Sequence, residues 1–210
     1  MRFQNLSSGS EITYFDALQL HFKLGSDPSL IFHCSHVVNV AYQIIQQLPE
    51  NIALNAELVL IGAFLHDIGR NETQSIRHGV VGSEIIIREF PHSKFLDDVS
   101  RIISCHIGGG IPKSETKDLG LPEEDFIPLS LEEKIVCYAD KMVDYKFDKS
   151  KGNYEIKKWF TFNSVENESE KLSSKLGSNH PAVARLHALE NDLLQINHGK
   201  QFNFTTFKKK

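Results

Sequence analysis

The chain has 210 residues, enough for one good-sized domain or a domain with a helical appendage. It is 40% apolar with 14 Phe residues, so a sizeable core is available, while a formal charge of -4 and a pI near 6.2 argue against a nucleic-acid partner held by bulk electrostatics. Its three cysteines, Cys34, Cys105 and Cys137, are too few and too odd in number for a disulfide framework.

The opening residues, Met1 to Ser8, lack the apolar segment of a secretory signal. The longest apolar run, Leu58 to Leu65, falls far short of the roughly 20 residues that cross a bilayer. A cytoplasmic location with no membrane partner is expected. Apolar spacing is helical nearly throughout, and no stretch alternates as a strand would, so the fold class predicted is all-α.

A first helix is predicted over residues 10–24, stopped by Gly25. Asp27-Pro28 opens a second, which runs to Leu48 before Pro49. The third, over about 53–68, is apolar all the way round (Leu58, Val59, Leu60, Ile61, Phe64, Leu65), which marks a helix buried inside a bundle. A fourth begins at His78 and ends before Pro91; a fifth, over about 94–105, runs into Gly108-Gly109-Gly110.

Residues 108–129 read as a long loop of the kind that often carries function. Ser130-Leu131-Glu132-Glu133 is a capping box that opens a sixth helix, continuing to about Phe147. Two further helices follow, 165–176 and 181–196, the latter started by His180-Pro181. One domain over 1–210 is expected, with a core at about 28–147, a helical extension at about 154–197 and a frayed tail at 198–210. The basic run Lys208-Lys209-Lys210 reads as part of that solvated tail.

Ten histidines are present, and their placement carries the chemistry. His66 and Asp67 end the most apolar helix, where ionisable groups are costly unless paired or bound to metal. On the second helix the apolar face is set by Val37, Val40, Ala41, Ile44 and Leu48. His33 falls roughly 50° from its centre and His36 roughly 110° away, so His33 is the preferred inward ligand. Asp140 flanks an apolar stripe in the sixth helix, His78 opens the fourth and His106 ends the fifth. Arg70 lies three residues beyond Asp67, and its fork suits a phosphate; Lys141 is a second candidate for phosphate contact. The cysteines, each close to a proposed site residue, read as small packing side chains.

The order His33, His66-Asp67, Asp140 resembles the H…HD…D ligand set of the HD superfamily, and Phe64-Leu65-His66-Asp67-Ile68-Gly69-Arg70 is similar to its "LLHDIGK/R" signature. The spacing of 33 residues from His33 to His66 fits the same pattern. With Arg77-His78-Gly79 and Cys105-His106-Ile107-Gly108, the chain looks like small stand-alone HDIG-type proteins and the two-metal H…HD…H…H…D subclass. The HHE…GYP signature of cyclic-dinucleotide enzymes has only a faint echo at Cys105-His106-Ile107 and Gly110-Ile111-Pro112.

The resemblance implies an HD helical bundle with additional C-terminal helices and one or two divalent ions (Fe, Mn, Co, Ni or Zn) on His33, His66, Asp67, His78, His106 and Asp140. It further implies hydrolysis of a small phosphorylated substrate, a nucleotide by expectation, with Asp67 and Arg70 catalytic and Arg70 and Lys141 binding the phosphate. The same ligands would also serve a di-iron oxygenase, and a non-catalytic nucleotide-binding module would keep the pocket.

Overall fold

The computed structural model describes residues 11–144, 161–177 and 179–205. Within them the α-helices are α1 (Tyr14–Lys23), α2 (Pro28–Gln47), α3 (Ala56–Leu65), α4 (His78–Glu89), α5 (Leu96–Cys105), α6 (Lys113–Thr116), α7 (Leu131–Lys141), α8 (Val165–Leu176) and α9 (Pro181–Ile196). The fold is all-α, as the apolar spacing predicts.

Helix α3 is the central element. Leu58, Val59, Ile61, Gly62, Ala63, Phe64 and Leu65 are all buried, because α1, α2, α5 and α7 pack around it. The caps are written in the sequence: the Asp27 side chain accepts from Ser29 N–H with Pro28 at the first helical position, and Asn55 accepts from Leu58 N–H. Ser130 caps α7 by accepting from Glu133 N–H. The reciprocal half of the expected capping box is replaced. Glu133 turns inward, accepts from Leu129 N–H at 2.7 Å and lies 3.5 Å from Arg101 Nε.

Helix α3 stops at Leu65 rather than near Ile68. His66 and Asp67 form a turn, and a 3₁₀ segment, Ile68–Asn71, follows. That segment lies so close to α4 that a Cβ on Gly69 would stand 2.0 Å from the His78 carbonyl oxygen and 2.6 Å from Gly82 N. Only glycine permits this approach, which brings His78 beside the turn.

The predicted loop at 108–129 holds more structure than expected. It contains α6 and a bridge between Ile111 and Phe126, and Ile111, Leu121 and Phe126 bury a small cluster against Cys105. Arg185 of α9 clamps it, donating to Gly110 O at 2.8 Å and in bidentate fashion to Glu115 at 2.8 and 2.7 Å.

Helix α7 ends at Lys141, and Val143–Asp144 pairs antiparallel with Thr161–Phe162, a two-residue ladder too short to show as alternation. The expected continuation of that helix through 145–147 and the start of the C-terminal extension at 154–160 lie outside the described residues. The tail expected to fray is held over 201–205. Gln43 and Gln47 of α2 each exchange two hydrogen bonds with the backbone of Thr205 and Asn203, at 2.8 to 3.1 Å, and Phe202 is buried.

Candidate metal centre

Four helix ends and one turn converge on a single buried point. His33 arrives from the first turns of α2, His66 and Asp67 from the turn after α3, His78 from the start of α4, His106 from the end of α5 and Asp140 from the end of α7. Ligand atoms fall into three overlapping groups, each within 4.8 Å: His33, His66 and Asp67; His66, His106 and Asp140; Asp67, His78 and His106. All six metal-ligand candidates from the sequence are thus brought together. His36 is not among them; its Nδ1 lies 2.8 Å from Phe32 O and its ring packs on Phe32.

Three of the rings are aimed by their own turns. Nδ1 of His66, His78 and His106 each lies 2.6 to 2.8 Å from the carbonyl oxygen three residues earlier, at Ala63, Ser75 and Ile103. A carbonyl only accepts, so Nδ1 carries the hydrogen and Nε2 points inward. The inward nitrogens then face one another, His33 to His66 and His78 to His106, both at 3.2 Å.

Asp67 stands between the two histidine pairs. Its Oδ1 lies 3.1 and 3.5 Å from Nε2 of His78 and His106, and its Oδ2 lies 3.7 and 3.8 Å from Nε2 of His33 and His66. Oδ1 is fully buried with no hydrogen bond of acceptable geometry. A buried carboxylate oxygen without a donor and inward-facing imidazole nitrogens fit a bound cation, which supplies the missing positive charge. The donor set, imidazole and carboxylate without thiolate, suits a divalent transition metal.

Electrostatics point the same way. Burial alone would raise the Asp67 carboxyl, yet the His66 and His106 rings outweigh it and hold it well below the usual carboxylate range. Burial also works against charge on Asp140, but Lys141 and the His33 and His66 rings keep that group ionised. Burial pushes His106 down to about 4, so it is a neutral ring at pH 7. His66 is held above the ordinary imidazole value, because Asp67 overcomes the burial that disfavours its charge.

The phosphate-contact candidates part company. Arg70 is 35% exposed, donates from Nε to Asp67 Oδ2 at 2.7 Å, and holds Nη2 3.3 Å from His78 Nε2. Together with His33, Asp67 and Asp140 it lines an open cleft of about 560 Å³. Lys141 does not line that cleft. Its ammonium is turned to Asp140 Oδ2 at 2.5 Å and is nearly buried, because an unpaired carboxylate there would be costlier still. In this structure it stands against Asp140 and away from the cleft lining.

Asp27, Ser29, Asn71 and Gln74 also line the cleft, and no motif in the sequence marks them as site residues. Asp27 reads as a helix cap alone, and the signal for Asn71 and Gln74 is only their position within a turn or so of Arg70. The cysteines pack behind the ligands: Cys137 donates to His106 O at 3.2 Å, and burial pushes its thiol up to about 11. Burial likewise raises Cys34.

A family model described as "HD domain" matches residues 30–143, more than half of the chain. An uncharacterized protein of Methanocaldococcus jannaschii is 35% identical over 166 residues, covering 79% of this chain and 88% of that one. Proteins named tRNA (cytidine(56)-2'-O)-methyltransferase from Picrophilus torridus and Thermoplasma volcanium are each 40% identical, over 50% and 60% of this chain. The match spans only 30% and 35% of those two proteins. No solved structure matches the chain. With the His33, His66-Asp67 and Asp140 cluster inside the matched segment, the chain belongs to the HD-domain family, a superfamily of metal-dependent hydrolases.

Proposed function

We propose that the chain is a metal-dependent phosphohydrolase that cleaves a phosphomonoester or phosphodiester, with a nucleotide as the substrate class. The observation that carries this reading is Asp67, whose two oxygens face two histidine pairs while Arg70 leans on it at the mouth of the cleft. His33, His66, Asp67 and Asp140 would hold one ion, and His78 and His106 with Asp67 a second. Bound there, a divalent transition metal lowers the pKa of a water and draws charge from a phosphoryl oxygen.

The chain's own residues supply the rest. Arg70 presents a planar fork of fixed charge to the cleft and orients a phosphate through paired N–H donors. Asp67, kept ionised, accepts a proton-bearing group at the cleft floor and aligns it. Lys141 keeps Asp140 ionised and turned toward His33 and His66. An oxygenase would use the same donors, but an arginine at the mouth of the cleft fits an anionic substrate better. The tRNA methylation named for two relatives is left with those proteins, since the match covers about a third of each.

The test is hydrolysis of p-nitrophenyl phosphate, bis(p-nitrophenyl) phosphate and a nucleotide panel by protein loaded with Mn²⁺ or Co²⁺. Turnover that vanishes in Asp67→Ala supports the reading. Loaded protein that cleaves none of these esters overturns it.

A further inference from the structure

Arg70 reaches the group formed by Asp67, His78 and His106 at His78, and grips the far oxygen of Asp67 as it does so. Its Nε donates to Asp67 Oδ2 at 2.7 Å and its Nη2 to His78 Nε2 at 3.3 Å. His78 Nδ1 spends its hydrogen on Ser75 O at 2.8 Å, so Nε2 has a single lone pair to give. That lone pair can accept a guanidinium N–H or bind a cation, but not both. The guanidinium also cannot shed its charge, and in a site this buried a second cation beside it is opposed by Coulomb repulsion.

We propose that Arg70 is a built-in competitor for the cation position made by Asp67, His78 and His106, and that a phosphoryl group, by drawing the guanidinium off His78, admits the ion. The inference rests on reading the donor set as two cation positions. The His33 side meets Arg70 through Asp67 Oδ2, the oxygen that faces His33 and His66, but a carboxylate oxygen has two lone pairs and can accept from Nε while it binds an ion. Arg70 is 35% exposed and lines the cleft, so its side chain can swing without repacking the core. Loading is therefore ordered: the His33 side fills first, and the His78 side fills with substrate.

The experiment is a calorimetric titration of metal-free protein with Mn²⁺, alone and with inorganic phosphate, with bound metal counted independently. His106→Ala identifies the second step by removing it. Arg70→Met and Arg70→Gln are expected to tighten the second step by about tenfold or more and to change the first step by clearly less. Phosphate should tighten the second step in the wild type and not in either variant.

Two bound ions with the second step unchanged or weakened in both variants would mean that Arg70 serves the site by holding Asp67, and the proposal fails. A single ion in every variant, with or without phosphate, overturns the two-position reading and the proposal with it. No readout uses turnover, so the hydrolase reading is tested separately.

Discussion

In α7 the ammonium of Lys141 lies 2.5 Å from Asp140 Oδ2, which leaves Oδ1 of the same carboxylate 3.0 Å from His33 Nε2 and 3.5 Å from His66 Nε2. Both partners are nearly buried, so this pair is not a surface bridge. Lys141→Met leaves the carboxylate without its counter-charge. In metal-free protein the expected cost is about 3–5 kcal/mol, and cation affinity should rise, because the ion supplies part of the missing counter-charge. Denaturant unfolding with and without saturating Mn²⁺ checks this. The gap to wild type should narrow when the ion is bound, and equal stability without metal would count against the pairing.

Gly69 marks the closest approach of backbone to backbone in the site. A methyl group there meets the His78 carbonyl and Gly82 N, neither of which is a movable side-chain end. Gly69→Ala is expected to destabilise the protein by about 3 kcal/mol and to push α4 outward. Urea midpoints give the first effect. The second appears as loss of one of two bound ions, because His78 starts that helix.

Arg185 joins α9 to the segment that precedes α7. Arg185→Ala removes the bidentate contact to Glu115 and the bond to Gly110 O. The expected loss is about 1–2 kcal/mol, since the pair is partly exposed. Limited trypsin digestion gives the local signature: cleavage after Lys113 or Lys117 should quicken, while cleavage elsewhere changes little. Identical digestion patterns would show that the clamp is dispensable.

His21 sets an acid limit on stability. It is buried, with Nε2 2.9 Å from Phe64 O and Nδ1 2.8 Å from Ser26 Oγ, and burial holds it below the ordinary imidazole value. The unfolded chain therefore takes up a proton at His21 near pH 6.5 while the folded chain resists. Its contribution is complete above that pH and declines as pH falls toward the lowered folded value. Unfolding free energies between pH 5 and 7.5 should slope more steeply for wild type than for His21→Gln. Parallel curves would remove His21 as the cause.

Much of the centre could be read from the chain alone. The His66-Asp67 pair at the end of an all-apolar helix, and the face geometry that separates His33 from His36, are local properties, and local properties survive into the fold. The partners of Lys141 were not legible, since a lysine beside an aspartate reads equally as substrate contact or ion pair until burial is known. Gln43 and Gln47 look like solvent-facing residues of α2, yet they hold the backbone of 203–205 through contacts more than 150 residues apart. The Val143–Phe162 pairing is hidden for a different reason: a two-residue strand has no period.

The bonds from His66, His78 and His106 to the carbonyls three residues behind them act as self-contained clips. Each ring is oriented within a four-residue stretch of its own chain, whatever the neighbouring helices do. An arriving ion therefore meets nitrogens already facing it, and little rotamer freedom remains to be surrendered at the moment of capture. Capture at the His33 side, which fills first, should be quick, and specificity should come from how far apart the helices hold the clips. By the same logic, a substitution that shifts a whole helix moves a ligand as a rigid unit and retunes the site without blurring it.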